Sequence, residues 1–155
     1  MLTPTANESA RIAAVNLLAG RQPKSVNSTH TDTVDQLKQK ADYGSVPQVV
    51  FSVPPLTAVG LSEAEARRRG FDLDVRFQDL STKGEVRKLC GSAAGCKVII
   101  DRQTDQILGA HVLGPHAEEV INLFALAIRL NLTTANLKST LFTYPTMTAE
   151  FCRML

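Results

Sequence analysis

The sequence of 155 residues has almost no charge bias: 17 lysines and arginines stand against 15 aspartates and glutamates, a formal charge of +2. That balance argues against a nucleic-acid or anionic-membrane partner. No apolar run approaches the roughly 20 residues that a membrane helix needs. The first residues, Met1-Leu2-Thr3-Pro4-Thr5-Ala6, lack the basic-then-apolar order of a secretory signal, so a soluble, cytoplasmic protein is expected. Cysteine is scarce and odd in number: Cys90, Cys96 and Cys152. A secreted disulfide scaffold would carry an even, denser set. Cys90 and Cys96 stand too far apart for a C-x-x-C pair, and no histidine or second cysteine pair lies nearby, so no metal site is expected. A disulfide across the intervening glycine-rich turn remains open geometrically; two small apolar residues flanking a turn is the favoured reading. The motifs G-x-G-x-x-G, P-loop, H-E-x-x-H and G-x-S-x-G are all missing. The length suits one packed domain, which buries roughly two-thirds of its unfolded surface. It is too short for a dinucleotide-binding domain together with a second large catalytic domain.

What is present divides into three parts. Residues 1–20 read as a turn followed by a helix that Asn7 or Ser9 could cap and Gly20 could end. Residues 21–45 are polar and poor in apolar side chains, with His30 inside, and read as a mobile linker. Residues 46–155 have the composition of a packed domain.

Within that domain, Gln48-Val49-Val50-Phe51-Ser52-Val53 reads as a strand that Pro54-Pro55 ends. Ser62-Glu63-Ala64-Glu65 is a capping box opening a helix that stops at Gly70. Arg67, Arg68 and Arg69 fall in its last turn, where they complement the helix dipole; a phosphate or nucleic-acid patch is the less favoured alternative. Phe71 to Phe77 alternates apolar and charged residues, the period of a half-buried strand. Lys97-Val98-Ile99-Ile100-Asp101, a turn at residues 102–105, and residues 106–114 form the clearest hairpin. Arg87 to Cys90 reads as a further strand. His111 alternates with Ala110 and Val112 and reads as a core or edge residue. His116, at a helix start, is expected neutral and structural.

The longest helix runs from Pro115 to about Leu130, with Glu118 and Glu119 in its first turn. Covering one sheet needs an apolar stripe of a little over 100°. This helix is apolar nearly all round, with Val120, Leu123, Phe124, Ala127 and Ile128 among its apolar positions. A second surface should therefore cover its other side, and a second subunit is the expected cover. A short helix near Thr133 and a last one near Pro145 follow. The sum is α+β: an antiparallel sheet with helices packed on one face.

Several stretches taken together resemble a known family. Residues 46–55 followed by Val59-Gly60-Leu61-Ser62-Glu63-Ala64-Glu65-Ala66 resemble the opening of the C-terminal interface (dimerisation) domain of the pyridine nucleotide-disulfide oxidoreductases, FAD enzymes such as glutathione reductase, dihydrolipoamide dehydrogenase and mercuric reductase. Ile107-Leu108-Gly109-Ala110-His111-Val112-Leu113-Gly114 is similar to that domain's central hairpin. Tyr144-Pro145-Thr146 with Glu150 sits where the family places a His-Pro-Thr and acidic motif. Residues 2–4 and 8–14 look like the tail of the preceding FAD domain.

The resemblance implies a homodimer that completes its partner's active site through the Tyr144-Pro145-Thr146 loop. Tyr144 and Glu150 would stand at the catalytic positions, and Pro145 and Thr146 near the partner's flavin. FAD and NAD(P)H would belong to the other domains of a parent enzyme, none being bound by this chain alone. The loop departs from the family pattern: a phenol, ordinarily protonated to about pH 10, replaces the histidine base. Mercuric reductases resemble the chain here, with a Tyr, Thr and Met run like Tyr144, Thr146 and Met147, but their C-terminal vicinal cysteine pair has no counterpart. The alternative expectation is a free-standing dimerisation module without catalysis.

Overall fold

A computed structural model describes residues 3–19, 39–89 and 93–155. Contacts divide the chain into two units, Met1–Tyr43 and Gly44–Leu155.

In the first unit, helix α1 spans Thr3–Ala19 and has Ile12 as its buried side chain. Its polar side meets the few described residues that follow. The Ser9 and Tyr43 hydroxyls share a hydrogen bond of 2.6 Å. The Asn16 amide exchanges two bonds with the Gln39 backbone, at 2.9 and 2.8 Å. The rest of the polar segment, His30 included, lies outside the described residues.

The second unit is built on one antiparallel sheet. Its strands are β1 (Gln48–Val50), β2 (Leu56–Gly60), β3 (Leu73–Asp79), β4 (Gly95–Asp101) and β5 (Ile107–Leu113), and their order across the sheet is β1-β2-β5-β4-β3. Strand β2 was not anticipated from the sequence. Its residues follow two prolines and end at Gly60, and its pairing with β5, from Leu56 opposite Leu113 to Gly60 opposite Gly109, is a long-range contact. The expected hairpin is β4–β5, with a register shift at Ile99/Ile100. Its turn is held by the buried Asp101 carboxylate, which accepts from the Gln103 amide and the Thr104 hydroxyl.

The helices are α2 (Glu63–Arg68), α3 (Gly84–Lys88), α4 (Ala117–Arg129), α5 (Thr134–Ser139) and α6 (Met147–Cys152). Alternation along the strands sorts the sheet into two faces. Cys96, Val98, Ile100, Ala110 and Val112 point into the main core, where Val120, Ile121, Phe124 and Ala127 of α4 and Phe151 of α6 meet them. Thr57, almost fully buried, donates its hydroxyl to the carbonyl of Val112, and the carbonyl of Ala117 lies at 3.4 Å, so one side chain ties β2, β5 and the start of α4. This is the expected sheet with helices on one face. Helix α2 adds cover at one end of the opposite face, where Ala66 packs with Leu73 and Ile99.

Two local expectations change. The Ser62 hydroxyl caps α2 by accepting from the Glu65 amide, but the Glu65 carboxylate pairs with Arg69 rather than reaching back. The strand expected over Arg87 to Cys90 is replaced by α3, with Glu85 in its first turn, Arg87 and Lys88 in its last and Val86 fully buried. Those charges suit a helix dipole. Cys90 lies outside the described residues.

No helix among the described residues is long and apolar enough to cross a membrane.

Candidate functional site

The end of the connection between α5 and α6, Thr143 to Thr146, and the first residues of α6, Met147 to Glu150, carry the residues singled out in the sequence. Thr146 organises this stretch: its hydroxyl donates to the Thr143 carbonyl at 2.6 Å and accepts from the Ala149 amide at 3.2 Å, capping α6. This fixes the helix start at Met147, so Pro145 precedes the cap instead of occupying the first turn. The Tyr144–Pro145 peptide is cis.

Tyr144 stands at the exposed end of this segment, with 67% of its surface accessible. Lys88 on α3 is within electrostatic reach: its ammonium is held above the ordinary lysine range first by its bond to Glu85, with a smaller contribution from Tyr144. Glu150 behaves oppositely. It is buried, and its carboxylate lies 3.9 Å from Lys83 Nζ and 3.7 Å from Arg153 Nη1. Removing either cation would leave a buried carboxylate poorly compensated. The exposed phenol and the buried carboxylate thus face different surroundings, and no hydrogen bond joins them.

Beside the loop lies a cavity of about 500 Å³ whose lining includes Tyr144, Phe142, Cys152, Lys138 and Arg153. Cys96 and Cys152 are free thiols, both buried. Burial, with a smaller contribution from Cys152, pushes the Cys96 thiol up to about 12, and burial alone pushes Cys152 up to about 11. Thiolates are the reactive species, so both should be slow to react in the folded chain. With Cys90 replaced by Ser, iodoacetamide at pH 8 should leave Cys96 and Cys152 largely unmodified in buffer and label both in urea. Equal labelling rates under the two conditions would contradict their burial.

Of the residues expected at an interface, Val120, Phe124 and Ala127 are buried in the chain's own core. Their apolar character is accounted for within the chain. Leu123 and Ile128 are half-buried, and the apolar residues that α4 leaves exposed are Leu126 at 53% and, at its C-cap, Leu130 at 58%. His116 takes the left-handed backbone conformation at the start of α4, with φ 59°. His111 is half-buried on the sheet face opposite the main core, next to Lys97 in register. Among the described residues no group of three or more His, Cys, Asp or Glu could hold a metal ion.

Comparison with known proteins places this architecture. Residues 46–155 match the family model of the pyridine nucleotide-disulphide oxidoreductase dimerisation domain. The chain belongs to that family. Similar proteins include a small one and full-length reductases. One is an uncharacterised 19.7 kDa protein of a mercuric resistance operon in Staphylococcus aureus, 35% identical over 99% of this chain and 77% of that protein. Another is the dihydrolipoyl dehydrogenase of Chlamydia muridarum, 37% identical over 71% of this chain but 24% of that enzyme. Among solved structures, the HOCl-induced flavoprotein disulfide reductase RclA of Escherichia coli superposes with a TM-score of 0.67 at 30% identity, covering 70% of this chain and 25% of that one. The dimerisation domain thus spans about a quarter of the reductases it matches.

Proposed function

We propose that the chain is the homodimerisation domain of a FAD-dependent NAD(P)H:disulfide, or related, oxidoreductase and completes its partner's active site through the Tyr144-Pro145-Thr146 loop. The observation that carries this is the loop itself: a Thr146-pinned turn that presents Tyr144 to solvent, 67% exposed, in a stretch that resembles the family's His-Pro-Thr motif. Tyr144 and the neighbouring Thr146 and Pro145 would face the partner's flavin. Glu150, buried and paired with Lys83 and Arg153, would anchor α6 beneath the loop.

In this reading residues 1–20 are the end of a preceding FAD domain, residues 21–45 a linker and residues 46–155 the dimerisation domain of a cytoplasmic enzyme. The dimer forms over the outer side of α4, where Leu126 and Leu130 are exposed, with the half-buried Leu123 and Ile128, which also pack on the chain's own core, at its margin.

The residues of this chain do not fit FAD or NAD(P)H as a resident group. The sequence has no glycine-rich G-x-G-x-x-G turn to bring backbone amides against a pyrophosphate. Flavin chemistry would therefore belong to the other domains, and this chain would supply the Tyr144 hydroxyl and the shape of the loop. The relative encoded in a mercuric resistance operon supports a role near mercuric ion chemistry, in keeping with the Tyr, Thr and Met run at Tyr144, Thr146 and Met147.

A second reading, a dimerisation module without catalysis, is favoured by one observation: the 19.7 kDa relative aligned over 99% of this chain is itself too small for the two cofactor domains of a reductase. Purified chain should show no flavin absorbance and no NAD(P)H-driven reduction of disulfide, dye or mercuric ion. Turnover by these 155 residues alone would overturn both readings.

A further inference from the structure

The face of the sheet opposite the main core carries a second, chemically distinct feature. A cavity of about 420 Å³ is lined by Ser62, Glu63, Ala64, Arg67, Lys97 and His111. A neighbouring cavity of about 440 Å³ shares Lys97 and His111 with it; Leu56, Phe77 and Leu113 form its apolar wall, and Asp79 and Ser81 also line it. Phe77 is 71% exposed and Leu56 47%, so this wall is uncovered in the chain.

The polar cavity is rich in donors. One carboxylate, Glu63, serves two cations: Lys97 Nζ at 2.5 Å, and the Arg67 guanidinium at 2.9 and 3.2 Å through a single oxygen. Lysine has three N–H donors and arginine five, so most of them remain free of Glu63. Between these groups and the apolar wall stands His111, whose Nδ1 is buried and has no hydrogen-bond partner among the described residues. A buried ring nitrogen left unpaired is costly. Burial first, and the Lys97 charge second, hold the His111 ring below the ordinary histidine range. An added acceptor of negative charge would use the spare donors of Lys97 and Arg67 beside the His111 ring.

We propose that this face binds a small organic carboxylate with an apolar arm, the carboxylate on Lys97, Arg67 and His111 and the arm over Leu56, Phe77 and Leu113. The apolar wall distinguishes such a ligand from a free inorganic oxyanion, for which charge and donors alone would suffice. The site lies apart from the Tyr144 loop and does not depend on the function proposed above.

The test is a titration of the full chain followed by the ring resonances of His111, assigned among the three histidines by their loss in H111Q. Phenylacetate, acetate and inorganic phosphate serve as probes. Phenylacetate should give a saturable shift at concentrations about tenfold lower than acetate, and phosphate should bind no better than acetate. Arg67→Met, a change at an exposed position, should weaken all three, as should Lys97→Gln. Phe77→Ser should abolish the advantage of phenylacetate while leaving acetate unchanged. The proposal fails if His111 shows no saturable shift, or if the shift survives unchanged in both R67M and K97Q. A preference for phosphate would equally overturn it, since the apolar wall would then contribute nothing.

Discussion

Replacing Phe124 by alanine should destabilise the domain by about 3–5 kcal/mol, the range for a large aromatic removed from a packed core. Phe124 has no accessible surface and stands among Val120, Ile121 and Ala127 of α4, facing the strand residues Val98, Ile100, Ala110 and Val112. The surrounding side chains belong to a continuous sheet whose backbone cannot collapse into the vacated space, so the cavity term adds to the lost transfer energy. Set against a whole-domain stability of about 5–15 kcal/mol, the loss is about a fifth of the total or more. Urea unfolding should show a lower midpoint with an unchanged slope. Leu126→Ala, on the exposed side of the same helix, should leave the midpoint almost unchanged at protein concentrations low enough that the chain is monomeric. Equal effects of the two substitutions would contradict the assignment of faces on α4.

Gly109→Ala should be damaging for a different reason. A Cβ at Gly109 would lie 2.1 Å from the Leu61 carbonyl oxygen and 3.0 Å from two further Leu61 backbone atoms. These are backbone atoms of the segment between β2 and α2, held there by the bond from the Leu61 amide to the Leu108 carbonyl at 2.9 Å. They cannot rotate aside as a flexible side chain would. Overpacking by one methyl typically costs 1–3 kcal/mol and more where nothing yields, so a loss of at least about 3 kcal/mol is expected. Gly84 supplies the internal control. No atom lies within 4 Å of a Cβ there, and Gly84→Ala should be neutral or stabilising by up to about 1 kcal/mol, through lost freedom of the unfolded chain. A G109A midpoint as high as that of G84A would refute the close approach of Leu61 to β5.

Much of this architecture was legible in local patterns. The β4–β5 hairpin could be read because two apolar runs flank a polar turn, and α2 because Ser62 caps it. What local pattern missed depended on distant partners. Strand β2 has small residues and a terminal glycine, and only its alignment with β5 makes Gly60 and Gly109 meaningful, each admitting the other segment's backbone. Residues 84–88 carry Val86 and flanking charges that a strand or a short helix could use; they form α3, with Val86 on its buried side. The apolar circumference of α4 was visible, but not which residues the sheet covers: Val120, Phe124 and Ala127 turn inward, while Leu126 remains outside. At the loop, the motif marked Tyr144 and Glu150 as a pair, whereas folding separates an exposed phenol from a buried carboxylate. His111 was read as a sheet residue, and its buried, unpaired Nδ1 is visible only in the folded chain.

The most direct measurement is the mass of the purified chain by sedimentation equilibrium across a range of concentrations. The expected result is twice the mass of a single chain, falling to one chain when Leu126 and Leu130 are both changed to Glu, with the fold retained by circular dichroism. A mass of one chain at every concentration for the unaltered sequence would contradict dimerisation by this domain.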